Sequence, residues 1–247
     1  MKKYLCLGSV GVGLMLLLMN CAMQAPVVEK QMEVTHRELK FSGFDWIVRN
    51  DVSKKGPGPN FFSNSEENVW IDKDGKLHLK ITQKDGNWYC AGMYCKQPLG
   101  YGKYTFYVHS DITLLDQNVV SGLFTYLNDV EEIDIEFSKW SIPDNQNAQF
   151  AIQPADKTGN KHRFQIPSNA GPTKHSFDWK KDKINFISQV NSDAAIAPFA
   201  VWKYTGPHIP KATTERMRIN LWLFKGQMPS DLKEQEIIID SVSFQKH

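Results

Sequence analysis

The chain has 247 residues, of which 23% are charged, 41% hydrophobic and 12% aromatic, a mixture that fits a folded enzyme or binding domain and excludes collagen, a coiled coil and a polytopic membrane protein. Lys2 and Lys3 account for the excess of 29 basic over 27 acidic residues. Without its first segment the chain is therefore neutral and has no electrostatic footprint for nucleic acid.

Lys2 and Lys3, followed by the apolar run from Tyr4 to Met19, read as a secretory leader over 1–21. The run ends Leu18-Met19-Asn20-Cys21, which resembles a bacterial lipoprotein box, with Asn20 where a small residue is usual. A lipid on Cys21 would hold the protein at a membrane, and 22–38 would be a tether below the domain. Ordinary cleavage and free secretion is the alternative, so the protein is expected to be exported, either anchored in the cell envelope or secreted.

From residue 39 onward, short alternating segments separated by Gly, Pro, Asn and Asp indicate antiparallel sheet, with no convincing amphipathic helix. Gly56-Pro57-Gly58-Pro59-Asn60 reads as a rigid surface loop. Asp72-Lys73-Asp74-Gly75 reads as a tight turn, since the later ligands of a calcium loop are missing. Strands are expected over 76–82, 103–109, 119–126, 132–137, 148–153, 183–190, 216–224 and 236–244. Cys90 and Cys95 are the two cysteines left beyond the leader and Cys21. An oxidising compartment permits them to close a short loop as a disulfide, the pairing adopted here, with two free thiols as the alternative. They lack the Cys/His partners of a zinc site. No repeat and no change of composition appears, so 39–247 is expected to be one all-β domain, a jelly-roll-like sandwich of two antiparallel sheets, and a monomer.

The most informative segment is Glu131-Glu132-Ile133-Asp134-Ile135-Glu136-Phe137. A period of two sends Ile133, Ile135 and Phe137 to the core and puts Glu132, Asp134 and Glu136 together on the other face. Like charges on one strand face repel; with aromatic and amide-rich flanks, an acidic face inside a sugar-binding cleft accounts for them better than a solvated edge. Residues four apart on a strand have Cα atoms about 13 Å apart, and two inward-leaning glutamates bring their carboxyls toward the ~5.5 Å of a retaining glycosidase. Strand arithmetic alone also admits the wider inverting separation. Asp134, between them, would share a proton with its neighbours and separate their pKa values.

Glu132-Ile133-Asp134-Ile135-Glu136 resembles the Glu-x-Asp-x-Glu strand of glycoside hydrolase family 16. Gly100-Tyr101-Gly102-Lys103-Tyr104, Val119 to Tyr126, His175-Ser176-Phe177-Asp178-Trp179 and Arg218-Ile219-Asn220-Leu221-Trp222 are similar to further segments of its bacterial β-glucanase branch, in the same order. The resemblance implies a concave-sheet cleft with Glu132 as nucleophile, Glu136 as acid/base and Asp134 assisting, and a polysaccharide or oligosaccharide substrate. It places Trp179 and Trp222 in the cleft and Asn60 on a loop that approaches the sugar, a plain turn being the alternative for Asn60. By position, Asn220 shares the strand face of Trp222, Trp140 follows the catalytic strand closely as a rim residue, and Gln149 on the next strand faces substrate, a solvent-facing glutamine being the alternative. Trp46, Trp70 and Trp202 are left as packing residues. No cofactor is required; a structural calcium of the family would have Asp240 as a ligand, a surface carboxylate being the default. Gly92 and Tyr94 stand where the relatives carry Glu and Arg, and Val130 where an aromatic residue often precedes the nucleophile, so the glucan preference does not transfer. The expected activity is retaining, endo-acting hydrolysis of a β-linked glycan, with a carbohydrate-binding lipoprotein and a transglycosylase as rivals. Serine hydrolase, phosphate-loop and zincin motifs are lacking.

Overall fold

The computed structural model describes residues 36–192 and 195–247. The leader, Cys21 and most of the expected tether lie outside the described residues. Sixteen strands are described: β1 Glu38–Phe41, β2 Phe44–Val48, β3 Phe61–Phe62, β4 Val69–Ile71, β5 Leu77–Lys84, β6 Asn87–Cys95, β7 Gly102–Val108, β8 Val119–Asn128, β9 Glu131–Phe137, β10 Ala148–Ile152, β11 Lys161–Phe164, β12 Thr173–Trp179, β13 Ile184–Val190, β14 Ala200–Tyr204, β15 Arg216–Leu223 and β16 Gln235–Lys246. The first of them starts inside the expected tether. Arg37 is also already part of the fold, since its carbonyl accepts from Val48 N at 2.8 Å and its Nε donates to the carbonyl of Asn64 at 2.7 Å.

The strands are hydrogen-bonded in the order β11-β10-β9-β8-β15-β6-β5-β16-β7-β12-β13-β14, with β1 and β2 continuing from β6 and β4 flanking β5. The β5–β6 hairpin, tightened by Asp85 and Gly86 at positive φ, carries this path from one layer to the other. One layer is thus β11 to β6 with β2 and β1, the other β5 to β14. The architecture is an all-β jelly-roll sandwich. Alternation explains why these segments pair: Leu77, Leu79 and Ile81 of β5, Ile133, Ile135 and Phe137 of β9, and Ile237 and Ile239 of β16 are wholly buried between the layers. Burying each such side chain contributes about 1.5–3 kcal/mol. The C-terminal β16 lies between β5 and β7, closing the second layer at its middle.

Two expectations are corrected here. The segment around Cys90 and Cys95 is a nine-residue strand, and both cysteines are buried free thiols. Five residues apart on one strand, they project to opposite faces with Cα atoms about 17 Å apart, far beyond the ~7 Å limit for a disulfide. Burial pushes the Cys90 thiol up to about 12, while the Cys95 Sγ lies 3.9 Å from the Gln97 Oε1. Trp179 is wholly buried and donates from Nε1 to the Pro210 carbonyl at 3.2 Å, packed edge-on against Tyr101. It belongs to β12, in the layer away from the carboxylates, so it packs the core and reaches no cleft. His175 on the same strand is equally buried, held by Ser188 and Thr173 hydroxyls at 2.7 Å each.

Candidate active site

Glu132, Asp134 and Glu136 share the outer face of β9, opposite to its buried isoleucines, and line a cleft of 810 Å³. Register places their neighbours. Glu136 lies between Gly122 of β8 and Gln149 of β10, Asp134 between Phe124 and Ala151, and Glu132 beside Tyr126. Extending the Glu136 row brings in Asn220 and Gly92 on one side and Arg163 on the other. The two glycines flanking Asn220 make room for neighbouring side chains, Gly122 for that of Asn220 and Gly92 for the Phe62 ring. At Gly122 the small residue is required, because a Cβ there would sit 2.5 Å from Asn220 Oδ1, which accepts from Gly122 N at 3.0 Å.

Asp134 is buried and the two glutamates beside it are half-buried at the cleft floor, and burial raises all three. Glu132 is pushed up to about 8, first by burial and then by the charge of Glu136, against a hydrogen bond from Asp134 and the nearby Arg218 charge that pull it down. Asp134 is raised well above its ordinary value by burial and by both glutamates. Its proton has a defined place. Ala155 N donates to Gln153 Oε1 at 2.8 Å, so the Gln153 amide must present Nε2 to Asp134 Oδ2, at 3.0 Å. The remaining Asp134 oxygen is then the one that carries hydrogen toward Glu132. Glu136 is raised by burial, with the Gln149 hydrogen bond and the charges of Arg163 and Lys161 opposing. Gln149 Nε2 donates to Glu136 Oε2 at 2.5 Å, and its Oε1 is buried without a partner.

The other expected site residues separate into two groups. Asn220 and Trp222 line the cleft with the carboxylates, Gln149 touches Glu136, and Trp140 lies beyond it with the Arg163 guanidinium 4.1 Å from its ring centroid. Asn60 does not face substrate. Its Nδ2 donates to the carbonyls of Pro57 and Leu223 at 2.8 Å each, fixing the loop so that Gly56, Pro57 and Gly58 form the wall instead. Asp240 is likewise committed, to Lys76 Nζ at 2.8 Å and His109 Nδ1 at 3.3 Å. An ammonium already stands against it, and no group of three or more acidic, His or Cys residues that could hold a metal occurs among the described residues.

Arg218, Arg49, Tyr94, Tyr126, Gln153 and His36 also line the cleft. Arg218 was legible in principle, since it has the strand parity of Asn220 and Trp222. Arg49 and His36 were not, because β2 and the residues before β1 show too little alternation to place them.

No protein family and no curated protein sequence matches the chain. Solved structures do. The β-glucanase of Bacillus licheniformis superposes with a TM-score of 0.64 at 18% identity, over 85% of this chain and 95% of that one. A prokaryotic β-1,3-1,4-glucanase (lichenase) from a mouse hindgut metagenome gives 0.63 at 18%, over 86% and 100%. A family 16 glycosyl hydrolase protein from Mycobacterium smegmatis gives 0.61 at 14%, over 81% and 91%. The fold of this chain is the glycoside hydrolase family 16 fold.

Proposed function

We propose that this chain is a retaining, endo-acting hydrolase of a β-linked polysaccharide. The observation that carries the reading is the acidic face of β9 in an open cleft, with burial driving Asp134 and the acid Glu136 toward their protonated forms. Glu136, protonated, gives its proton to the glycosidic oxygen while Glu132 attacks the anomeric carbon to form a covalent glycosyl-enzyme. Glu136, now a carboxylate, takes a proton from water, which cleaves that ester. The Asp134 hydrogen bond offsets negative charge on Glu132 before attack and releases it as the ester forms. The cleft gives a saccharide room, and Trp222 offers an indole face. The chain's leader supports export, with a lipid on Cys21 as anchor; radiolabelled palmitate incorporation lost in Cys21→Ala tests that part.

Release of reducing ends from β-glucans and galactans, compared with Glu132→Gln, tests the activity. Cleavage abolished by the substitution supports it. Binding without cleavage favours a carbohydrate-binding protein, a reading to which the raised Glu132 carboxyl lends weight, because a protonated carboxyl is no nucleophile. Lengthened oligosaccharide products would mark a transglycosylase.

A further inference from the structure

We propose that the cleft holds an anion subsite in which the Arg218 guanidinium, with Arg49 beside it, takes a carboxylate or sulfate substituent of the bound saccharide. This rests on the glycanase reading and narrows its substrate to an acidic polysaccharide.

Arg218 projects from β15 into the cleft, two residues before Asn220 and four before Trp222. Its guanidinium lies 4.4 Å from the ring centroid of Tyr126 and 5.4 Å from that of Tyr94. Among the described residues it makes no ion pair and no hydrogen bond, and its Nε is shut off from solvent without a partner. The open edge is therefore the pair of Nη groups, the fork that matches a two-oxygen acceptor. Burial lowers the Arg218 pKa, and the Arg49 charge lowers it further. Arg49 lines the same cleft, its guanidinium over the Phe62 ring at 3.6 Å.

The acids nearby do not answer this demand. Asp51 is taken by Arg49, whose Nε lies 2.6 Å from its Oδ2, and a further Arg49 nitrogen donates to the Gly56 carbonyl at 2.7 Å. Asp129 accepts from the Tyr126 hydroxyl at 2.9 Å. Glu132 is hydrogen-bonded to Asp134 and makes no contact ion pair with Arg218. The tyrosine rings hold the half-buried guanidinium in place, and its Nη edge, with no acid against it, is left for an oxygen acceptor from the ligand. A neutral hydroxyl would accept one hydrogen bond and leave the charge unmatched; a sugar carboxylate or sulfate ester satisfies both.

The test uses matched probes: laminarin, β-1,4-galactan and agarose oligosaccharides, each neutral, 6-carboxylated and sulfated. Calorimetry measures their binding to the wild-type protein, Arg218→Met and Arg218→Lys, with circular dichroism confirming the fold of each variant. The expected result is a wild-type preference of about tenfold or more for one anionic form over its neutral parent, the size of a charge-assisted hydrogen bond. It should be abolished in Arg218→Met, partly kept in Arg218→Lys, and weakened by salt. Carboxylated and sulfated arms identify the group. Equal binding of neutral and anionic forms on all three backbones, or a preference that Arg218→Met leaves intact, overturns the subsite. Should Arg218→Met not fold, undiminished preference in Arg218→Lys does the same. Reducing-end release is read separately: anionic preference without cleavage refutes the hydrolase and keeps the subsite, while cleavage without preference does the reverse.

Discussion

Replacing Asp134 by Asn removes a titratable group and almost nothing else. The asparagine Oδ1 still accepts from Gln153 Nε2, and its amide takes over donation to Glu132, so the packing of β9 is kept. An aspartate in the unfolded chain ionises near 3.9, whereas in the fold Asp134 is held protonated to a much higher pH. Between those values the folded state binds one more proton than the unfolded state. The protonated Asp134 contribution is therefore complete below about pH 4 and is lost as pH rises, by about 1.4 kcal/mol per unit. His175 acts in the opposite sense: burial lowers it to about 3, so its contribution is present above its unfolded pKa and lost on acidification. Glu132 and Glu136 titrate in both proteins. Subtracting the wild-type stability from that of Asp134→Asn isolates the Asp134 proton together with its coupling to Glu132, and the difference should grow in favour of the variant as pH rises above about 4, at about 1.4 kcal/mol per pH unit for as long as Asp134 holds its proton in the fold. Urea unfolding at half-unit intervals of pH, followed by tryptophan fluorescence, measures it. Parallel stability curves for the two proteins would mean that Asp134 ionises normally in the fold, and the proton placed between Asp134 and Glu132 would have to be given up.

Denaturing the protein without reductant and alkylating it should label both Cys90 and Cys95 in a peptide map, and a linked peptide pair would contradict the strand geometry of β6. Gly122→Ala should lower stability by about 1–3 kcal/mol through overpacking against Asn220, measured by denaturant titration, and impair turnover as well. Trp179→Ala should cost about 3–5 kcal/mol as a buried aromatic truncation, seen as a lower thermal midpoint. Trp222→Ala, at the cleft, should instead raise KM with a smaller loss of stability.

Glu132, Asp134 and Glu136 could be placed from sequence because three isoleucine or phenylalanine positions alternate with three acids, and only one sheet face can be apolar. The same rule could not decide β6. There Trp88, Tyr89, Met93 and Tyr94 put large side chains on both faces, and Gly92 and two cysteines imitate a loop. Trp179 was misassigned because an aromatic residue suits a core and a sugar cleft equally. Which it serves depends on the layer in which β12 pairs, a long-range fact fixed by its register with β7 and β13. Asn60 lies on the right loop, but its Nδ2 answers the carbonyls of Pro57 and Leu223, the latter distant in sequence. The short strands β1 to β4 have too few residues for a period to show. Arg218 went unread for a different reason: its parity was visible, but its lack of a partner belongs to the folded cleft alone.

The position of β16 bears on how the molecule comes into being. A nascent chain that has not yet reached Gln235 has two unpaired inner edges, one on β5 and one on β7, each facing a gap as wide as the missing strand. Such edges invite pairing with other chains, and the contacts that would close them are distant in sequence and slow to form. A chain lacking β16 would therefore be open and adhesive, its second layer completed only when that strand pairs. Trimming β16 should therefore yield aggregation in place of a smaller folded domain.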